Sequence, residues 1–154
     1  MAAPRTWVNL ELVTATIMNG HVRDMLNAIA VAKGVVIGVG DFAGAPITTG
    51  IRARFRMPFG LRITKWTVLA DALGSIQFDI WKDTYANFPP TVADTITGSE
   101  KPLLSAAQKN EDALLTTWTT DLNAGDCLDV NVDSTSGVIK QATIILDGTL
   151  LALV

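Results

Sequence analysis

Reactive side chains are scarce in this chain: among 154 residues there is one cysteine, Cys127, one histidine, His21, and one tyrosine, Tyr85. A lone cysteine makes no intrachain disulfide, and His21 with Cys127 falls short of the three or four donors of a zinc site. As a nucleophile and base the two would lack an identifiable third group to orient the base. The simpler reading is a helix-surface histidine and a small residue near a strand start. Charge is scarce too: 18% of residues are charged, against about 25% in average globular proteins. Twelve basic against fifteen acidic residues leave a net charge of −3, so no long-range positive field exists to recruit nucleic acid or anionic lipid. Long apolar runs are missing as well. The longest, from Ala28 to Gly40, is broken by Lys33 and by glycines, well short of the roughly 18 uninterrupted residues of a spanning helix. No membrane insertion is expected. Met1–Trp7 carries one basic residue, Arg5, with no apolar core behind it, and does not read as a secretion signal. With no paired acid and base, liganded metal or activated nucleophile, the expectation is a non-enzyme without cofactor or metal.

What the chain does have is apolar content: 49% of residues and a mean hydropathy of +0.33. Some of that surface is expected to meet another protein. The length suits one domain with a short appendage, since roughly 150 residues bury about 68–70% of the unfolded surface. Thr14 reads as a helix N-cap, and Met18, Val22, Met25, Leu26 and Ile29 follow at spacings of three and four. That spacing predicts an amphipathic helix over about residues 15–32, ended by Lys33-Gly34. Its stripe spans only about two and a half heptads, too short for a coiled coil without help, so it must dock. The division expected is 1–34 as an attachment or oligomerisation arm, 35–50 as a Gly-rich connection and 51–154 as the body.

In the body the helical period gives way to alternation. Ile51-Arg52-Ala53-Arg54-Phe55-Arg56-Met57 places arginine on every second residue, the period of a half-buried strand. Further strands are predicted at Val35–Val39, Leu61–Ala70, Ser75–Lys82, Leu114–Thr119, Cys127–Asp133 and Val138–Leu146, with a short edge strand near Leu103–Ala107. Asp147-Gly148 reads as a hairpin turn into a last strand, Thr149–Val154. Asp71–Ser75 and Ser134–Gly137 read as other tight connections. Short strands with frequent turns predict a mainly β protein, an antiparallel β-sandwich or jelly-roll-like domain, with one N-terminal amphipathic helix.

Four groups of residues invite a chemical reading. Val35–Gly44 has the glycines of a dinucleotide loop, but the third is displaced and Pro46-Ile47-Thr48-Thr49-Gly50 follows where a helix is needed. Asp121, Asp126, Asp129, Asn131 and Asp133 could invite calcium. On one strand face, however, alternate side chains stand about 6.8 Å apart, too far to converge on an ion holding oxygens at about 2.4 Å. A solvated strand face is the reading adopted. Arg52, Arg54 and Arg56 make a basic stripe about 13 Å long; it suits an anionic partner or, more economically, Asp129 and Asp133 on an adjacent strand or across a subunit contact. Trp81, Tyr85 and Phe88 either stack on a sugar or anchor the loop that follows them.

Trp7, Leu10, Val13-Thr14-Ala15, Met18-Asn19, Val22-Arg23-Asp24 and Leu26 together resemble the N-terminal segment of small tailed-bacteriophage virion proteins. This chain has Leu10-Glu11-Leu12 where a Gly-Glu often precedes the Val. A second resemblance runs from Arg54–Phe59 through Ile80-Trp81-Lys82 and Pro90–Ile96 to Trp118 and Gly125-Asp126, and is to β-domains of phage tail-fibre, head-fibre and decoration proteins. The resemblance implies a homotrimeric, non-enzymatic structural protein located in the virion. Capsid or tail subunits would be its partners, and a host surface glycan a further ligand. Trp7 and the apolar stripe would serve attachment; a free-standing carbohydrate-binding module is the alternative. If the arginine stripe meets the acidic strand, Arg54→Glu lowers thermal stability or dissolves assembly, and an unchanged melting temperature and oligomer mass would refute the pairing.

Overall fold

The computed structural model describes residues 33–151, which form seven strands: β1 (Lys33–Gly40), β2 (Gly50–Arg56), β3 (Leu61–Asp83), β4 (Leu103–Asp112), β5 (Asp121–Leu122), β6 (Cys127–Thr135) and β7 (Gln141–Leu150). The helix expected over 15–32, with Trp7, Met18, Val22, Met25, Leu26 and Ile29, lies outside the described residues, as do residues 152–154. The body is mainly β and antiparallel. Its strands form one sheet in the order β1-β7-β3-β6-β2, with β4 and β5 also pairing with β3, and the sheet curls into a half-barrel.

β3 organises this curl. At 23 residues it is far longer than the usual strand, and it changes partner midway: Leu61–Ala70 pair with β7, Ile76–Asp83 with β6. The change falls at Asp71–Ser75, the segment that reads in the sequence as a tight connection between two strands. The chain instead runs through as a corner, because the β6–β7 connection turns at the same point and fastens to it. Ser136 N donates to Ser75 O at 2.8 Å, and Ser75 N donates to Ser136 Oγ at 3.1 Å. Asp71 Oδ1 accepts from Lys140 N at 3.0 Å and Gln141 N at 3.1 Å. Polar letters that ordinarily end a strand are thus used to tie one corner to another. Gly74 lets the two approach, since a Cβ there would lie 2.8 Å from Val138 Cγ2.

Alternation builds the core. Phe78 and Ile80 of β3, Leu128, Val130 and Val132 of β6, and Ala142, Ile144 and Leu146 of β7 are buried on the concave face. A register irregularity between Ile63 and Lys65 shifts the phase of β3, so that Leu61 and Ile63 point inward before it and Trp66 and Val68 after it. One extra residue reverses the faces of everything that follows.

Two more expectations are corrected. Asp147-Gly148 makes no hairpin: β7 continues to Leu150, held between β1 and β3 by the pairs Lys33↔Gly148 and Ile63↔Gly148. A type I′ turn needs positive φ, which Gly148 does not adopt. This glycine serves close approach, because a Cβ would sit 2.1 Å from Arg62 O. Leu114–Thr119 is irregular rather than a strand. Other partners claim it: the Glu100 carboxylate accepts from Thr117 N at 2.8 Å, the Glu100 carbonyl from the Trp118 indole Nε1 at 2.8 Å, and Ile96 O from Thr119 N at 2.8 Å. Near Leu103–Ala107 the edge strand is present and extends to Asp112. Gly148→Ala is expected to destabilise the fold by about 3 kcal/mol through overpacking. Gly38→Ala, at a site where an added Cβ meets nothing, should fall within about 1 kcal/mol of the wild type; urea titration of both variants checks the contrast.

Candidate functional site

The convex side of β2, β6 and the second half of β3 is where the chemistry-bearing residues gather. Alternation places Asp79 and Trp81 of β3, Asp129, Asn131 and Asp133 of β6, and Arg54 of β2 away from the apolar core. The registers Asp79↔Asn131, Trp81↔Asp129 and Arg54↔Asp129 set them side by side. Such a face would ordinarily be solvated, but the excursion between β3 and β4 folds back over it. Ile96 N donates to Ile80 O at 2.8 Å and Phe78 N to Pro102 O at 2.8 Å, and Thr95 bridges Trp81. The excursion carries short 3-10 turns at Tyr85–Asn87 and Val92–Asp94. Asp83 Oδ1 holds the first by accepting from Thr84 N at 2.6 Å and Asn87 Nδ2 at 3.2 Å. A Thr91–Asp94 capping box holds the second.

The reading of Asp129 as part of a solvated face is therefore corrected: its side chain is 1% exposed. Arg54 grips it through two bonds, Nε to Oδ1 and Nη2 to Oδ2, each 2.6 Å. This planar two-point geometry is specific to arginine. The Phe88 ring lies 4.8 Å from the same guanidinium. Asp133 takes a different partner, Lys101 Nζ at 2.6 Å, while Asn131 Nδ2 donates to it at 2.7 Å. The other two arginines of the stripe also diverge. Arg52 Nε donates to Thr48 O at 2.7 Å, and its Nη2 to Thr48 Oγ1 and Thr49 O. Arg56 Nε donates to Gly125 O at 3.1 Å and its guanidinium lies 5.1 Å from the Tyr85 ring.

At the centre is a residue that alternation alone does not single out. Asp79, 1% exposed, accepts from Thr95 Oγ1 at 2.5 Å and Thr97 Oγ1 at 2.8 Å and pairs with Lys101 at 3.0 Å. Burial pushes its pKa up, but the Thr95 and Thr97 hydroxyls and the Lys101 ammonium outweigh it and hold the carboxyl below its ordinary value. The Trp81 indole also favours the charged form, although its Nε1 makes no hydrogen bond of regular geometry. Burial pushes the Lys101 pKa down, yet the bonds to Asp133 and Asp79 outweigh that and leave it raised. Lys101 thus bridges two carboxylates, one from β3 and one from β6. Asp133 stands in the acidic run of the sequence, whereas the only sequence signal of Asp79 is its place between Phe78 and Ile80 inside an apolar run; the lysine arrives from a distant loop.

The three aromatics separate. Trp81 lies beneath the excursion with its indole nitrogen buried. Tyr85 is 70% and Phe88 42% exposed, and each covers an arginine. Beside Arg56 lies an open depression lined also by Met57, Pro58, Ala124 and Gly125. Among the described residues no three His, Cys, Asp or Glu side chains converge as metal ligands, and Cys127 is buried and unpaired. Among them, too, no helix is long and apolar enough to cross a membrane. Arrayed this way, the polar groups fasten a loop to a sheet and leave an arginine-edged, aromatic surface exposed.

No protein-family model matches the chain, and no curated protein matches it. Among solved structures it is similar to a chain in the structure of infectious bursal disease virus Gx strain. The sequence identity is 10% and the TM-score 0.28, over 79% of this chain and 37% of that one. The chain thus spans well under half the length of the viral one, and likeness at that level carries no functional argument.

Because the folded carboxyl of Asp79 titrates below its unfolded value, its contribution is present above about pH 4 and is lost as pH falls through the folded value. Asp79→Asn should lose about 2 kcal/mol at neutral pH and show a shallower decline of stability below about pH 4 than the wild type. Equal slopes in acid unfolding would remove Asp79 from this role.

Proposed function

We propose that the chain is a non-enzymatic structural protein of a bacteriophage particle, in which the curled, sandwich-like β body is displayed and the N-terminal arm attaches to capsid or tail subunits or to sister subunits in a homotrimer. The observation that carries this reading is the Val13-Thr14-Ala15, Asn19, Arg23-Asp24 and Leu26 segment, which resembles that of small phage virion proteins and precedes a body with its own core. Met18, Val22, Met25, Leu26 and Ile29 supply the docking stripe. Each such side chain contributes about 1.5–3 kcal/mol on burial, so five support a specific contact after ordering costs. The tied-down excursion suits display, since a rigid exposed module resists local opening and proteolysis.

A second reading, a carbohydrate-binding module, is favoured by one observation: Tyr85 and Phe88 present ring surface beside Arg56 and its open depression. Flat rings with adjacent donors suit sugar stacking. Val22→Asp/Leu26→Asp separates the two readings. The variant should keep the thermal transition of its β body yet fall at least ~10-fold in particle incorporation, measured by quantitative mass spectrometry of purified virions. Normal incorporation overturns the attachment role. Glycan-array binding by a soluble chain absent from virions establishes the second reading instead. Copy number per particle distinguishes head decoration from tail fibre.

A further inference from the structure

Among the described residues four strands have a single ladder partner, β1, β2, β4 and the two-residue β5, and the three long ones are guarded unequally. β2 is studded with arginine and its ladder with β6 slips between Ile51 and Ala53. β4 carries Lys109, Glu111 and Asp112, has two register shifts against β3, and is kinked by Ala106 at φ 47°. Charges and irregularities of these kinds are what keep an edge from adding another strand. β1 has neither. It pairs with β7 without a shift from Lys33↔Gly148 to Gly40↔Gln141, holds no proline, and is uncharged after Lys33. Its far edge has no ladder partner among the described residues.

We propose that β1 is a self-association edge, pairing antiparallel with β1 of a second copy about a two-fold axis at Ile37, so that the sheet continues from one copy into the other. The occupant is argued from the order of residues. Around Ile37 the inward positions read Val35, Ile37, Val39, the same in both directions; Ile37 and Val39 are buried in the subunit's own core, so in the pair the two inward rows continue one core face. On the outward face Val36 meets the partner's Gly38, and Gly38 the partner's Val36, setting a branched side chain over a bare backbone twice. Lys33, at one end, comes to the end where the partner's Asp41 follows Gly40, and opposite charges there fix the register. A self-complementary surface of this kind is what a two-fold contact requires.

Two details of the chain itself agree. Val36 is 69% exposed. Gly38 sits mid-strand in ordinary extended backbone, and a Cβ there would meet nothing, so the subunit's own packing does not ask for glycine; a glycine inside a strand otherwise weakens it and often marks the approach of another backbone. The contact is independent of the N-terminal arm. If the arm forms trimers, β1 joins them in pairs; if not, β1 alone makes a dimer.

The test uses the full-length chain and sedimentation equilibrium, with circular dichroism melts as the folding control. Val36→Lys/Gly38→Lys places like charges opposite each other at both outward pairs and should halve the mass of the wild-type assembly without lowering the melting temperature. Val36→Lys/Gly38→Glu places opposite charges at the same pairs and should restore the wild-type mass. Equal masses for all three chains, or a halved mass for both variants alike, overturns the proposal. Loss of mass in Val22→Asp/Leu26→Asp reports on the arm and leaves the comparison of the β1 variants intact.

Discussion

The fold depends on one bent strand. β3 supplies a partner to β4, β5, β6 and β7, and only β1 and β2 reach it through an intermediary. A strand of that length could not stay flat against a single layer, because twist accumulates along it and would carry its ends out of register with a planar neighbour. The corner at Asp71–Ser75 resolves the problem by giving each half its own neighbour, and the β6–β7 connection bends with it. Beside the buried Ile76 and Ile139, the corner is held by short polar reaches from Asp71, Ser75 and Ser136 onto backbone groups. A bend that left those N–H groups without partners would be costly, so the polar residues make the curl permissible and the curl then encloses the core.

The same economy governs the convex side. Placing Asp79 and Asp129 under a loop removes two carboxylates from water, which is unfavourable unless each finds opposite charge and donors. Arg54 and Lys101 supply the charge, and Thr95 and Thr97 complete the shell of Asp79. The result fixes the excursion by directional contacts beside the buried Ile96, which joins it to the core. Lys101 is the hinge of the arrangement, since it touches carboxylates on two strands at once and so reports their spacing. Arg54 does the corresponding work at the other side, with its charge on the buried Asp129 and the Phe88 ring over its guanidinium.

Much of the strand order was legible because period-two alternation survives in Ile51–Met57, Ser75–Lys82 and Cys127–Asp133. The alternation that sets Arg54 outward also sets Asp129 outward on its neighbour, and the register brings them together. The misreadings share a cause. Asp71-Ala72-Leu73-Gly74-Ser75 and Asp147-Gly148 are turn sequences by local preference, yet both are consumed by partners far along the chain: Lys140, Gln141 and Ser136 in one case, Arg62 in the other. Leu114–Thr119 has strand-like composition but gives its hydrogen bonds to Glu100 and Ile96. Asp79 could not be singled out because what buries it, the loop carrying Thr95 to Lys101, is placed by long-range pairing and not by local pattern.

Edge chemistry follows from the same corner. A sheet that curls without closing must leave outer strands, and those strands face opposite demands, since an edge open to every strand invites aggregation while an edge open to none forbids assembly. In β2 the arginines that reach Thr48, Asp129 and Gly125 also guard the edge, so one stripe both anchors a loop and rejects a neighbour. In β4 polarity and a left-handed alanine do the same. β1 cannot carry such guards cheaply, because its inward row of Val35, Ile37 and Val39 must lie flat against β7 to finish the core. A regular register is the condition of that packing, and regularity on one edge of a strand is necessarily regularity on the other. The strand that seals the half-barrel is for that reason the strand best shaped to extend it.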